Sequence, residues 1–250
     1  MKKQAIVVDI DNTVIDTAIR KQSILISELK KDQQEVDIQT IRTDYMLNSI
    51  IGAGKTVDRQ NFLSIISSEN GIRKHPAPVF DGTPEVLKKL SDEQIEIIYL
   101  TARPQILLEA TLDELSNGGL PITKNNVRML DDPCLDTQEI PKLLQNYKSS
   151  TLEDILERFD ILALIGDRPE DFDAARVLNI PFILFKSTLS DNEINEMQGL
   201  GHVGFYVASS WHSIHGIVSY LKEGAMQLRK ERELYSTQYS DWLGQLVSCV

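Results

Sequence analysis

The chain has 250 residues, with 26 Lys plus Arg against 37 Asp plus Glu and a formal charge of −11, which argues against general binding to a nucleic-acid backbone because that binding needs cationic contacts. Its two cysteines, Cys134 and Cys249, stand in no metal-type spacing, so no disulfide framework is expected, and a reducing, cytoplasmic compartment is. No apolar run is long enough to span a bilayer, and Asp9 interrupts the stretch after Met1-Lys2-Lys3 before a signal-peptide core could form.

The first predicted element is a strand over 4–9, the apolar run Ala5-Ile6-Val7-Val8, which leads straight into Asp9-Ile10-Asp11-Asn12-Thr13. A carboxylate at the end of a buried strand is costly unless it is paired, metal-bound or used in chemistry. A turn at Asn12-Thr13 brings Asp9 and Asp11 to one crevice, an arrangement suited to a metal-assisted nucleophile with its own acid/base partner. The same residue types also make a capped turn.

Residues 14–80 then carry Val14, Ala18, Leu25 and Leu29, Ile41, Tyr45 and Leu47, and Phe62, Leu63, Ile65 and Ile66. Two or three helices without a strand are predicted there, closed by an extended return at His75-Pro76-Ala77-Pro78. Within them, Ser49 to Thr56 ends like a phosphate-binding P-loop, but the pattern needs glycine where Ser49 stands and a strand before it. A turn between helices is the better reading.

Beyond residue 80 the pattern alternates, with strands expected over 95–100, 127–130, 161–165, 181–185 and 203–207 and helices over 84–90, 105–117, 151–159, 171–178 and from about 211 onward. Thr83-Pro84, Arg103-Pro104 and Arg168-Pro169 read as helix starts. The second strand runs into Thr101-Ala102-Arg103, where a hydroxyl and nearby backbone N–H groups can hold a phosphate oxygen or simply cap the helix. Lys148 stands ahead of a predicted helix and of the strand that ends in Gly166-Asp167. Asp167 and Asp171, four apart across a loop-to-helix junction, suit one hard divalent ion or a favourable helix N-terminus. The tail from Ile217, with Leu221, Ala225 and Leu228 and then Tyr235, Tyr239, Trp242, Leu243 and Leu246, is expected to pack on the core, with a homodimer contact as the alternative.

Taken together, these segments resemble the haloacid dehalogenase superfamily of phosphatases and phosphotransferases over residues 4–13 and 80–215. Asp9, Asp11 and Thr13 match its first motif, Thr101 the second, Lys148 the third with Lys142 as the alternative, and Gly166, Asp167 and Asp171 the fourth. Asn12 replaces the common glycine of the first motif, a change the turn tolerates because Asn accepts left-handed geometry.

The resemblance implies an α/β, Rossmann-like, mostly parallel core (1–13 and 80–215), a helical cap insert (14–79) and a helical extension (216–250). It implies that Asp9 attacks phosphorus to form an aspartyl-phosphate, and that Asp11 protonates the leaving oxygen and then activates water. Mg²⁺ would be held by Asp9, the Asp11 carbonyl and Asp167, with Asp171 in support. Thr101 and Lys148 would bind phosphoryl oxygens, with Thr13, Ala102 and Arg103 on the substrate side. In the insert, Arg20, Arg42, Arg59, Arg73 and His75 are polar candidates or ordinary surface residues. The expected activity is a Mg²⁺-dependent phosphatase acting on a small phosphomonoester. The alternatives are a phosphotransferase or mutase on the same chemistry and a non-catalytic interaction module.

Overall fold

Ala5, Ile6, Val7 and Val8 are all fully buried, which for a strand means that both faces of the sheet are covered by helices. The computed structural model describes residues 2–31, 59–66, 68–131, 140–185, 189–202 and 204–227. Its strands are β1 (Lys3–Asp9), β2 (Glu96–Pro104), β3 (Val127–Leu130), β4 (Phe159–Gly166), β5 (Phe182–Phe185) and β6 (Phe205–Ala208). They form one sheet in the order β3-β2-β1-β4-β5-β6, and every pairing is parallel. The α/β, Rossmann-like class is therefore as expected.

The helices are α1 (Thr17–Lys31), α2 (Arg59–Ile66), α3 (Glu69–Lys74), α4 (Thr83–Asp92), α5 (Leu108–Asn117), α6 (Ile140–Arg158), α7 (Pro169–Val177) and α8 (Asp191–Gly199), followed by α9 over 211–227. Because side chains alternate along a strand, Ile6 and Val8 join one apolar layer with α4, α5 and α9, and Ala5 and Val7 join the other with α6, α7 and α8. Leu221 and Ala225 of α9 pack on the first layer. A third, smaller cluster of Ile24, Leu25, Leu29 and Phe62 holds α1 to α2. Among the described residues no helix is long and apolar enough to cross a membrane.

Three boundaries differ from expectation. β2 does not end at Leu100 but runs to Pro104, with an irregularity in its pairing to β3 after Thr101. Pro104 consequently sits in extended backbone ahead of a single 3-10 turn instead of opening a helix. The helix expected over 151–159 begins eleven residues earlier, at Ile140, so Lys148 lies within α6 and not before it. Ser149-Ser150-Thr151 looks like a helix start, but intrinsic preference is a weak guide when packing can carry the helix through such residues. The run 49–56, Arg42, both cysteines and the tail residues Leu228, Tyr235, Tyr239, Trp242, Leu243 and Leu246 lie outside the described residues.

Candidate functional site

The strand order reverses between β1 and β4, and in open α/β sheets the crevice at the carboxyl ends of the strands on either side of such a reversal is where ligands bind. Asp9 is the last residue of β1, and Asp167 follows directly on β4. At the end of β1 the chain turns sharply. The Ile10 carbonyl accepts from the backbone N–H groups of Thr13, Val14 and Ile15, and Asn12 takes a left-handed φ of 60°. The Asn12 side chain accepts from the Thr17 hydroxyl at 2.8 Å, tying the turn to the start of α1. From the far side, the buried Trp211 donates its indole N–H to the Thr13 carbonyl at 3.1 Å.

Asp9, Asp167 and Asp171 each offer a carboxylate oxygen within 4.8 Å of the others'. All three are buried, and among the described residues the cation buried with them is Lys148, whose Nζ donates to Asp9 Oδ1 at 2.7 Å and also pairs with Asp171. Three carboxylates against one buried ammonium and the half-exposed Arg168, 3.6 Å from Asp167, leave an excess of negative charge, and an uncompensated buried ion costs several kcal/mol. The strain shows in the proton affinities. Burial, aided by Asp171, lifts the Asp167 carboxyl to about 7. Burial likewise raises Asp9 well above the usual carboxylate range, with Lys148 opposing and the neighbouring acids adding to the rise. Lys148 is held firmly protonated, since Asp171 and Asp9 override the effect of its burial.

Asp167 is the member that needs a further partner. It is 1% exposed, and neither of its carboxylate oxygens accepts a hydrogen bond. Arg168, its half-exposed neighbour, comes no closer than 3.6 Å. Buried carboxylate oxygens without donors, facing two other carboxylates, fit a hard divalent cation such as Mg²⁺. The cluster is tightly packed. A Cβ on Gly166 would stand 2.6 Å from Asp171 Cγ, so no larger residue fits there without moving Asp171. Asp171 also accepts from the Arg168 backbone N–H at 3.3 Å as part of a capping box on α7, so its helix-capping role and its place in the cluster coexist.

The second wall of the crevice is built around Asp11. Arg103 Nε donates to Asp11 Oδ2 at 3.0 Å and Arg103 Nη2 to Oδ1 at 2.9 Å, a two-pronged grip. Thr101 adds its hydroxyl to Oδ2 at 3.3 Å while accepting from the Arg103 backbone N–H at 3.2 Å. Burial alone would raise the Asp11 carboxyl, but Arg103, with Arg20 and Lys21 behind it, holds it at about 2. Arg103 Nη1 continues to Thr111 and Glu114 of α5 at 3.2 and 2.9 Å, and Glu114 pairs with Arg20 of α1.

The structure therefore brings Asp9, Lys148, Asp167 and Asp171 into one cluster and Asp11, Thr101 and Arg103 into another beside it. The Asp11 side chain is not part of the carboxylate cluster; its oxygens face Arg103. The Thr13 hydroxyl is buried without a partner, and Ala102 is half-buried between Thr101 and Arg103. Lys142, the alternative to Lys148, is exposed. Of the polar candidates expected over residues 14–79, Arg20 is buried, Arg73 is an exposed partner of Glu69 and Asp113, and His75 meets Ser23. Sequence reasoning misses Glu114 and Trp211. The only local sign of Glu114 is its i,i+3 spacing from Thr111 on α5, which says nothing of burial.

Residues 57–189 match the family described as HAD superfamily, subfamily IIIB (Acid phosphatase), a range that contains Thr101, Lys148, Asp167 and Asp171 but begins after Asp9 and Asp11. No curated protein matches the chain. Among solved structures, a candidate phosphatase from Clostridium difficile superposes with a TM-score of 0.62 at 16% identity, covering 87% of this chain and 99% of that one. A HAD family hydrolase from Deinococcus radiodurans R1, with bound phosphate and sodium, reaches 0.54 at 13% identity over 87% of this chain and 96% of its own. A HAD-superfamily hydrolase of subfamily IA, variant 1, from Geobacter sulfurreducens PCA reaches 0.54 at 12%, over 86% and 96%. At such identities the likeness is one of fold.

Proposed function

Since the chain belongs to the HAD superfamily, subfamily IIIB, and is a phosphatase, we propose that it hydrolyses a small phosphomonoester with Mg²⁺ through an aspartyl-phosphate on Asp9. The observation that carries this reading is the buried carboxylate cluster with both Asp167 oxygens unpartnered at the end of β4. Asp9, Asp167 and Asp171, with the Asp11 carbonyl, are the groups that would hold the ion. Bound there, it would supply charge neutralisation between carboxylate and phosphate.

Asp9 attacks through the oxygen that Lys148 does not hold. Lys148, gripping Asp9 Oδ1 and Asp171, fixes the nucleophile and presents its charge to the transferring phosphoryl group, whose transition state depends on positioning and charge stabilisation. Thr101, on the neighbouring strand β2, offers its hydroxyl to a phosphoryl oxygen. Asp11 is the acid/base residue. In the geometry described, Arg103 occupies both of its oxygens, which sets Asp11 as the base that takes a proton from water. To give a proton to a leaving oxygen it must first part from Arg103. α1, α2 and α3 form the insert that covers the crevice, excluding water and contacting the leaving group. The low cysteine count goes with a reducing, cytoplasmic location.

The test is phosphate release from a panel of phosphorylated metabolites, with Mg²⁺ and with chelator. Release that depends on Mg²⁺ and disappears in Asp9→Asn is the expected result; equal turnover in chelator contradicts it.

A further inference from the structure

The grip of Arg103 on Asp11 is one end of a longer buried chain of charges. A guanidinium is a rigid planar fork, so Arg103 cannot swing toward or away from Asp11 without moving the edge that faces Glu114 and Thr111. Glu114 in turn has one oxygen on Arg103 Nη1 and the other on Arg20. The Arg20 and Glu114 side chains are only 4% and 6% exposed. Arg20 is itself anchored through Nε to the His75 carbonyl at 3.1 Å. Signs alternate along the chain, Arg20, Glu114, Arg103, Asp11, so each member is paired with its neighbours. A second link, from the Thr17 hydroxyl to Asn12, ties the same helix to the same turn.

We propose that Glu114 and Arg20 are positioning residues for Asp11: acting through Arg103, they set where its carboxylate stands, so that the seating of α1 against α5 governs the acid/base group. This rests on the reading of Asp11 as the acid/base residue. Neither Glu114 nor Arg20 touches substrate. Without Glu114, Arg103 keeps only Thr111 behind it and follows Asp11 into the crevice, while Arg20 loses its carboxylate. Without Arg20, Glu114 is no longer held against α1, so Arg103 and the carboxylate it grips shift together. Either way the carboxylate moves relative to a leaving oxygen, while Asp9, Lys148 and the metal-facing cluster stay in place.

The experiment follows phosphorylation of Asp9 in single turnovers with Mg²⁺, using aryl phosphates from 4-nitrophenyl phosphate, whose leaving group needs no proton, to phenyl phosphate, whose leaving group gains from one. Wild type, Glu114→Gln, Arg20→Gln and Asp11→Asn are compared. Misplacement of an acid by about 1 Å costs up to about 10²-fold, so Glu114→Gln and Arg20→Gln are expected to slow phenyl phosphate about tenfold and 4-nitrophenyl phosphate less than about twofold, a weaker copy of Asp11→Asn. Uniform slowing across the series, or none, while Asp11→Asn still discriminates, overturns the positioning role. If Asp11→Asn itself slows all leaving groups alike, the acid/base reading falls first and the inference with it. Arg20→Gln leaves the Arg103–Glu114 pair intact and decides the matter if Glu114→Gln does not fold.

Discussion

Asp9 and Asp11 are two residues apart, face the same crevice and each meet a buried cation, yet their surroundings drive them in opposite directions. Asp9 shares Lys148 with Asp171 and lies beside Asp167, so carboxylates outnumber cations and its proton affinity rises. Asp11 has Arg103 on both oxygens, with Glu114 and Arg20 balancing the charge behind, and its proton affinity falls. One wall is short of positive charge and suits a cation from solution; the other is already neutral by pairing. Two carboxylates whose environments push them apart are the usual mark of separate chemical tasks.

The sharpest way to break this comparison is to remove the charge-deficient wall. Asp9→Asn and Asp167→Asn are each expected to bring phosphate release down to background while circular dichroism stays that of wild type. An active Asp9→Asn protein would show that the nucleophile lies elsewhere.

Asp11→Asn tests the other wall. Asn keeps the size but cannot exchange a proton, so with 4-nitrophenyl phosphate the variant should still phosphorylate Asp9 and then hydrolyse the phosphoenzyme about 10²- to 10⁴-fold more slowly, the range of general acid/base contributions. Rapid-quench labelling would show accumulated phosphoenzyme. Hydrolysis at the wild-type rate would reduce Asp11 to a turn residue.

Lys148→Ala should lower turnover by about 10²-fold, the loss of one transition-state electrostatic contact, whereas the exposed Lys142 should tolerate alanine. Steady-state rates of the two variants decide it, and a reversed order would move the third motif to Lys142.

The smallest effect is on stability. In metal-free protein the folded Asp167 carboxyl is raised to about 7 from its ordinary 3.8, so the folded chain binds the extra proton and loses stability as pH rises through that interval. Asp167→Asn removes the penalty. In chelator its Tm should exceed that of wild type by a few degrees at pH 8 and by much less at pH 5, and saturating Mg²⁺ should stabilise wild type but not the variant. A Tm difference independent of pH would mean that Asp167 is not strained in the absence of metal.

The sheet was readable because each strand is a short run of β-branched or apolar residues closed by turn residues, as in Ala5–Val8 before Asp9 and Leu162–Ile165 before Gly166. For the same reason the carboxylates stood out, since acids at the exits of buried strands are anomalous. α6 was only half visible because Ser149-Ser150-Thr151 mimics a start, although Pro141 in its first turn marks the true one. α8 is not legible in the sequence pattern because it is largely polar, even though Ser190 and Glu193 form a capping box at its head. The Arg20–Glu114–Arg103 chain was invisible for a different reason. Its members come from α1, α5 and β2, and only tertiary packing makes them neighbours.

The central position of β1 also bears on how the chain is made. Val7 pairs with Ile98 on one side and with Leu164 on the other, so β1 leaves a ribosome ahead of both neighbours and waits for partners synthesised long afterwards. Contacts this far apart in sequence form late. A nascent chain that has not reached β4 has neither Asp167 nor Asp171, and one shorter than α6 lacks Lys148 as well. Asp9 therefore emerges before the cation and the carboxylates that surround it, and on the proposed reading a half-made chain carries no working nucleophile.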